Sequence, residues 1–145
     1  MKNPCLVIID VQEKLYPVVQ DKDNFLRNLE ILIRGFKLLD LPIIITEQVP
    51  QKLGHTVSSV SSILGDVEPI PKSSFSCASD DKFNSKCDEL SNVDGYVLAG
   101  IETHICVYQT ERQMSLLGKH IEVVADAVSS RNKTNHSVAL DRIRC

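Results

Sequence analysis

Three side chains in this sequence have the chemistry for acyl transfer: a thiol, a carboxylate and an ammonium. The thiol is Cys106, in Gly100-Ile101-Glu102-Thr103-His104-Ile105-Cys106-Val107. Tyr96-Val97-Leu98-Ala99 reads as a strand that delivers the backbone to Gly100. From Ile105 onward the pattern is helical, with Ile105, Val107, Thr110, Met114 and Leu117 on the buried side. A cysteine at such a strand-to-helix turn lies in the first helical turn, where free N–H groups and the positive end of the helix dipole favour thiolate. Against this stands the commoner fate of a free cysteine, a small buried apolar side chain. The carboxylate is Asp10, which ends the apolar run Cys5-Leu6-Val7-Ile8-Ile9, a strand buried on both faces. A helix cap or a solvated loop acid is its ordinary alternative. The ammonium is Lys72, closing a third short strand candidate in Pro69-Ile70-Pro71-Lys72, where a surface lysine is the default.

Together the three make a coherent set. A carboxylate facing a thiol can take its proton and later return it to a leaving amine. A nearby ammonium stabilises the thiolate and keeps the carboxylate ionised. Ligands of open α/β sheets bind beyond the carboxyl ends of the strands, and each of these residues falls at or just past such an end.

The elements that must position them alternate strand and helix. Phe25, Leu29, Leu32, Phe36 and Leu39, widened by Leu26 and Ile33, predict a helix after the first strand. Pro42-Ile43-Ile44-Ile45 is the second strand, and Val57, Val60, Ile63 and Leu64 predict a short helix ended by Gly65. Asp80 or Asp81 is placed to cap a helix bearing Phe83, Cys87 and Leu90. The Cys106 helix stops at Gly118, Ile121-Glu122-Val123-Val124-Ala125 is the fifth strand, and Thr134 is the expected cap of a last helix carrying Val138 and Ile143. Helical crossovers between short apolar strands imply a parallel sheet covered on both faces.

Composition narrows the function classes. A chain of 145 residues is read as one domain, 1–145, long enough for a real core. Its net charge of −3, with basic residues scattered, offers nothing to nucleic acid or to an anionic membrane. Five cysteines without framework spacing point to reduced thiols, hence a cytoplasmic, reducing compartment; no run has the length of a membrane span or the form of a signal peptide. Cys5 and Cys87 read as core, and Cys77 as the one plausible second reactive thiol. His55, His104, His120 and His136 form no metal-ligand grouping, so no metal is expected. No glycine-rich phosphate loop is present, so no nucleotide cofactor is expected either. Gln12, Gln48 and Phe75 are the candidate substrate contacts, Gln48 being better placed than Gln12.

Leu6-Val7-Ile8-Ile9-Asp10-Val11-Gln12, Pro71-Lys72-Ser73-Ser74-Phe75-Ser76 and the Gly100–Val107 segment, in this order, resemble the isochorismatase-like cysteine hydrolases, the superfamily that includes nicotinamidase and N-carbamoylsarcosine amidase. Thr46-Glu47-Gln48-Val49-Pro50 and Ala125-Asp126-Ala127-Val128-Ser129-Ser130-Arg131 are similar to its isochorismatase domain-containing subgroup, whose substrate is unassigned. The resemblance implies a three-layer α/β/α, Rossmann-like open parallel sheet and an Asp10–Lys72–Cys106 catalytic triad. It also implies a cis peptide between Ile101 and Glu102, and an oxyanion hole built from the Glu102 and Cys106 N–H groups. The expected activity is hydrolysis of a small amide-like or related carbonyl substrate through a thioester, in a homo-oligomer. Isochorismatase proper acts on a vinyl ether and needs no such thiol, so Cys106 argues for the amidase-type branch. Nicotinamidases typically carry an Asp-x-His metal motif after the second strand, and here that region reads Glu47-Gln48-Val49-Pro50. Relatives continue into a sixth strand and closing helix, so a C-terminally truncated domain is the expectation. Two other readings compete: a non-catalytic oligomeric binding or scaffold protein that keeps the fold, and a thiol redox protein using Cys77 as resolving cysteine.

Overall fold

The computed structural model describes residues 1–145. Its elements run β1 (Pro4–Ile9), α1 (Lys22–Leu38), β2 (Ile43–Gln48), α2 (Pro50–Leu53), α3 (Ser58–Leu64), β3 (Ile70–Lys72), α4 (Asp81–Glu89), β4 (Gly95–Ile101), α5 (Tyr108–Leu116), β5 (Ile121–Ser129) and α6 (Lys133–Arg144). The five strands form one parallel sheet in the order β3-β2-β1-β4-β5.

β1 is the axis of the sheet because every residue from Cys5 to Ile9 is apolar and fully buried. The strand period of two splits them between two cores. Leu6 and Ile8 pack with Phe25, Leu29, Ile33 and Phe36 of α1 and with Val60 and Leu64 of α3. Cys5, Val7 and Ile9 pack on the other side with Phe83 of α4, Leu98 of β4 and Met114 of α5. Each large aliphatic side chain so buried stabilises the fold by about 1.5–3 kcal/mol. The result is the α/β/α open sheet expected from the alternation of elements.

Several local expectations are corrected. Leu39 and Leu117, counted in buried stripes, lie just past the ends of α1 and α5, where the chain leaves the helical path, and both are exposed. Of the two candidate caps of α4, Asp80 is the one used, accepting from the N–H groups of Lys82 and Phe83 at 2.9 and 3.0 Å, in line with the expectation. The cap of α6 is Asn132, which accepts from Asn135 N–H at 3.0 Å; Thr134 is already inside the helix. β5 continues four residues beyond its predicted end, because a bulge between Leu98 and Gly100 brings it back into pairing at Val128 and Ser129.

That bulge sits beside a close approach of β1 and β4. Gly100 has φ +122°, and a Cβ built there would lie 2.2 Å from the Ile9 carbonyl oxygen. Only glycine allows the two strands to meet so closely at the ends that carry Asp10 and the Cys106 turn. No helix is long and apolar enough to cross a membrane.

Candidate active site

Asp10 is the first residue beyond β1, and its backbone is left-handed (φ +53°), a conformation aspartate tolerates better than most side chains. Its N–H donates to the Thr46 carbonyl at 3.2 Å. Its carboxylate is fully buried and held at both oxygens: Thr46 Oγ1 donates to Oδ1 and Lys72 Nζ to Oδ2, each at 2.8 Å. Lys72 is the last residue of β3, two strands away across β2. Its ammonium also donates to Gln48 Oε1 at 2.7 Å and to the carbonyls of Ser74 and Phe75 at 3.0 and 3.1 Å. Burial alone would pull the Lys72 pKa down. The neighbouring Asp10 charge, then Cys77 and Cys106 and the hydrogen bond to Asp10, outweigh it and hold the value above that of an ordinary lysine. Lys72 is therefore a fixed cation.

Cys106 Sγ lies 3.9 Å from Lys72 Nζ, so all three side chains converge at the carboxyl edge of the sheet. The turn that bears it differs from the expectation. Thr103–Val107 is a single π-helical turn ahead of α5, a form often found at functional sites. The protonation state differs too. Burial pushes the Cys106 pKa up, the Asp10 carboxylate adds to this by charge and hydrogen bonding, and Lys72 offsets only part. The helix dipole does not win: the resting group is a neutral thiol next to an acceptor for its proton. Cys77, fully buried, is likewise pushed up to about 11, first by burial and, in smaller part, by Asp10, against the lowering effect of Lys72.

The Ile101–Glu102 peptide is cis. The Glu102 N–H has no hydrogen-bond partner within the chain, while its carbonyl accepts from Ile105 and Val107 N–H at 3.1 and 3.3 Å. Its carboxylate turns away from the thiol into an ion pair with Arg131. Burial would raise the Glu102 pKa, but the Arg131 hydrogen bonds and charge carry it below the usual carboxylate value. His104 pairs with Ser130 Oγ at 2.9 Å.

The three candidate substrate contacts part ways. Gln12 is fully buried and its amide is consumed internally. Nε2 donates to the carbonyls of Gln48 and Gly54 at 2.9 and 2.8 Å, and Oε1 accepts from Gln48 N–H at 2.7 Å. It is a brace between the loops after β1 and β2, with no group left for a ligand. Gln48 also faces inward, holding Lys72 with Oε1 and donating from Nε2 to the Ser73 carbonyl at 3.0 Å. Phe75 alone is open, its ring about half exposed while its carbonyl grips Lys72. Thr46 and Arg131, which hold Asp10 and Glu102, were visible in the sequence only as members of family-like segments.

The residues do not fit a metal. Gln48, the last residue of β2, has both amide groups committed, and His55 pairs with Glu47 at 3.1 Å. No three His, Cys, Asp or Glu side chains are grouped to bind an ion. A cavity of about 630 Å³ lies between β3 and α4. It is lined by Pro69, Pro71, Lys82, Lys86 and Glu89 and contains none of the three converging residues. Its mixed-charge rim lacks buried reactive groups.

An open parallel sheet with reactive side chains beyond its strand ends defines an α/β enzyme scaffold. Residues 4–145 match the isochorismatase domain, and the chain belongs to the isochorismatase family of hydrolases. It is 33% identical over 143 residues to isochorismatase domain-containing protein 2 of zebrafish (Danio rerio), covering 99% of this chain and 71% of that protein. The secreted isochorismatase effector Isc1 of Phytophthora sojae is 34% identical over 145 residues, covering 98% and 69%. Among solved structures, the MAR1 ribonuclease of Caenorhabditis elegans superposes with a TM-score of 0.89 at 33% identity, covering 98% of this chain and 72% of that one.

Proposed function

We propose that the protein is a cysteine hydrolase that cleaves a small amide-like or related carbonyl substrate through a thioester on Cys106, without a metal or organic cofactor. The observation that supports this best is the buried contact of Lys72 Nζ with both Asp10 Oδ2 (2.8 Å) and Cys106 Sγ (3.9 Å).

In this reading Asp10 takes the Cys106 proton as the sulfur attacks the carbonyl carbon, so thiolate forms only when substrate is present. The carbonyl oxygen becomes an oxyanion, stabilised by the Glu102 and Cys106 N–H groups. Asp10 then delivers its proton to the leaving nitrogen, the C–N bond breaks, and amine or ammonia departs from a thioester. A water that loses its proton to Asp10 attacks the thioester, and the proton returns to sulfur as the acid leaves. Lys72 stays protonated throughout and keeps Asp10 oriented. Phe75 forms an apolar rim at the entrance. We place the protein in a reducing compartment such as the cytoplasm, as a homo-oligomer; exposed Leu38, Leu39, Leu116 and Leu117 are apolar area that a second copy could cover.

The test is a panel of small amides with ammonia detection, with and without EDTA, beside Cys106→Ala. Turnover that is lost in the variant, retained in EDTA and accompanied by an acyl adduct on Cys106 supports the reading. Full activity in Cys106→Ala sinks it. The relative described as a ribonuclease favours RNA as a second reading, so an RNA oligonucleotide belongs in the same panel. The net charge of −3 weighs against it.

A further inference from the structure

Glu102, Thr103 and His104, which lead into the Cys106 turn, are each tied by a side chain to the segment following β5. Thr103 Oγ1 meets His136 Nδ1 at 2.8 Å and His104 Nδ1 meets Ser130 Oγ at 2.9 Å. The tie at Glu102 is stronger in kind. Oε1 accepts from the Arg131 backbone N–H at 2.9 Å and from Arg131 Nε at 3.0 Å. Oε2 accepts from Nε at 3.2 Å and Nη2 at 3.1 Å. A guanidinium fork on a carboxylate fixes the plane of the group as well as its distance. The Glu102 side chain is only 6% exposed, whereas that of Arg131 is 56% exposed. The arginine therefore adds little to the core, and its contacts are concentrated on this one carboxylate.

With its carbonyl held by Ile105 and Val107 N–H and its carboxylate held by Arg131, Glu102 has one polar group left without a partner, its N–H. We propose that Arg131 is a positioning residue whose bidentate grip on Glu102 aims this free N–H at the carbonyl oxygen of the substrate attacked by Cys106; the role rests on the thioester reading above. In this role Arg131 need not touch substrate or sulfur. It acts through the backbone of a neighbouring loop, linking the strand end that carries the nucleophile to the next strand end in the sheet.

Two reactions of the same thiol separate this role from general damage. Acylation by p-nitrophenyl acetate builds an oxyanion and releases a burst of p-nitrophenolate. Alkylation by iodoacetamide displaces iodide at saturated carbon and builds none. Arg131→Ala should slow the acylation burst about 100-fold, the range for losing one oxyanion donor, with its dependence on ester concentration little changed. Alkylation of Cys106, read by mass mapping, should stay within about twofold, since the thiol and its neighbours are unaltered. Arg131→Lys keeps the charge without the fork and should fall between wild type and alanine. The same ratio of rates in that variant decides the matter if the alanine variant does not fold. A normal burst in either variant overturns the role of Arg131 and leaves the thioester reading standing. Equal losses in acylation and alkylation overturn it as well, because they report a disordered site rather than a misaimed donor. Absence of any acetyl adduct on wild-type Cys106 brings down both.

Discussion

Lys72 Nζ donates to Asp10 Oδ2 at 2.8 Å with neither side chain exposed, yet the two residues depend on each other unequally. Lys72 has three further oxygen acceptors, Gln48 Oε1 and the Ser74 and Phe75 carbonyls. Beyond the Cys106 thiol, the Asp10 carboxylate has one further donor, Thr46 Oγ1.

Removing the cation should therefore cost more than removing the anion. Lys72→Met strands a buried carboxylate and should lower stability by about 3–5 kcal/mol. Asp10→Asn leaves the ammonium in its cage of neutral oxygens and should cost about 1–3 kcal/mol. Urea unfolding of both variants at neutral pH measures the difference. Equal losses would mean that the carbonyl cage contributes nothing.

The same carboxylate sets the state of the thiol, which leads to an opposed pair of effects. Asp10 raises the Cys106 pKa and Lys72 lowers it. Asp10→Asn should abolish turnover, because the amide cannot accept the proton. It should nonetheless speed iodoacetamide alkylation of Cys106 at pH 7, on the order of tenfold for each unit by which the pKa falls. Slower alkylation in Asp10→Asn would show that the carboxylate activates the resting thiol directly.

Much of this arrangement was legible in the sequence because it is built from patterns that local physics enforces. The Cys5–Ile9 run could only be a strand buried on both faces, and the helical stripe of Phe25, Leu29, Ile33 and Phe36 could only cover one of them. Asp10, Lys72 and Cys106 lie at or just past strand ends, where the alternation of elements and the resemblance both put them. What stayed hidden were relationships across the sheet. Gln12 followed a strand end as a ligand-binding residue would, but its three hydrogen bonds run to residues 36 and 42 positions away. The state of Cys106 is not legible locally, because the helix dipole is visible in local sequence whereas burial and the Asp10 charge arise only when distant strands meet.

Gln12 offers a check on the distinction between brace and substrate contact. Gln12→Leu keeps the volume but leaves the Gln48 N–H and carbonyl buried, and the Gly54 carbonyl half-buried, without their partner. A loss of about 1–3 kcal/mol is expected for each group left unsatisfied. Since Gln48 also holds Lys72, kcat should fall with little change in KM. A selective rise in KM, with stability intact, would return Gln12 to the substrate pocket.

Cys77 gives the protein a dependence on alkaline pH that is independent of turnover. Its thiol is fully buried, donates no strong hydrogen bond, and is pushed up to about 11 from an ordinary value of 9.0. Above pH 9 the unfolded chain loses this proton while the folded chain keeps it, so the unfolded state is favoured progressively until the folded thiol also titrates. The stability tied to Cys77 is complete below pH 9 and lost as pH rises to about 11, a total of about 2–3 kcal/mol at about 1.4 kcal/mol per pH unit. Cys77→Ala removes the titration and leaves only a small cavity, which costs the same at every pH. The variant should therefore be less stable than wild type at pH 8 and should close or reverse that gap at pH 11, measured by urea unfolding under reductant. Parallel declines of the two proteins between those pH values would show that Cys77 can ionise inside the fold with little penalty.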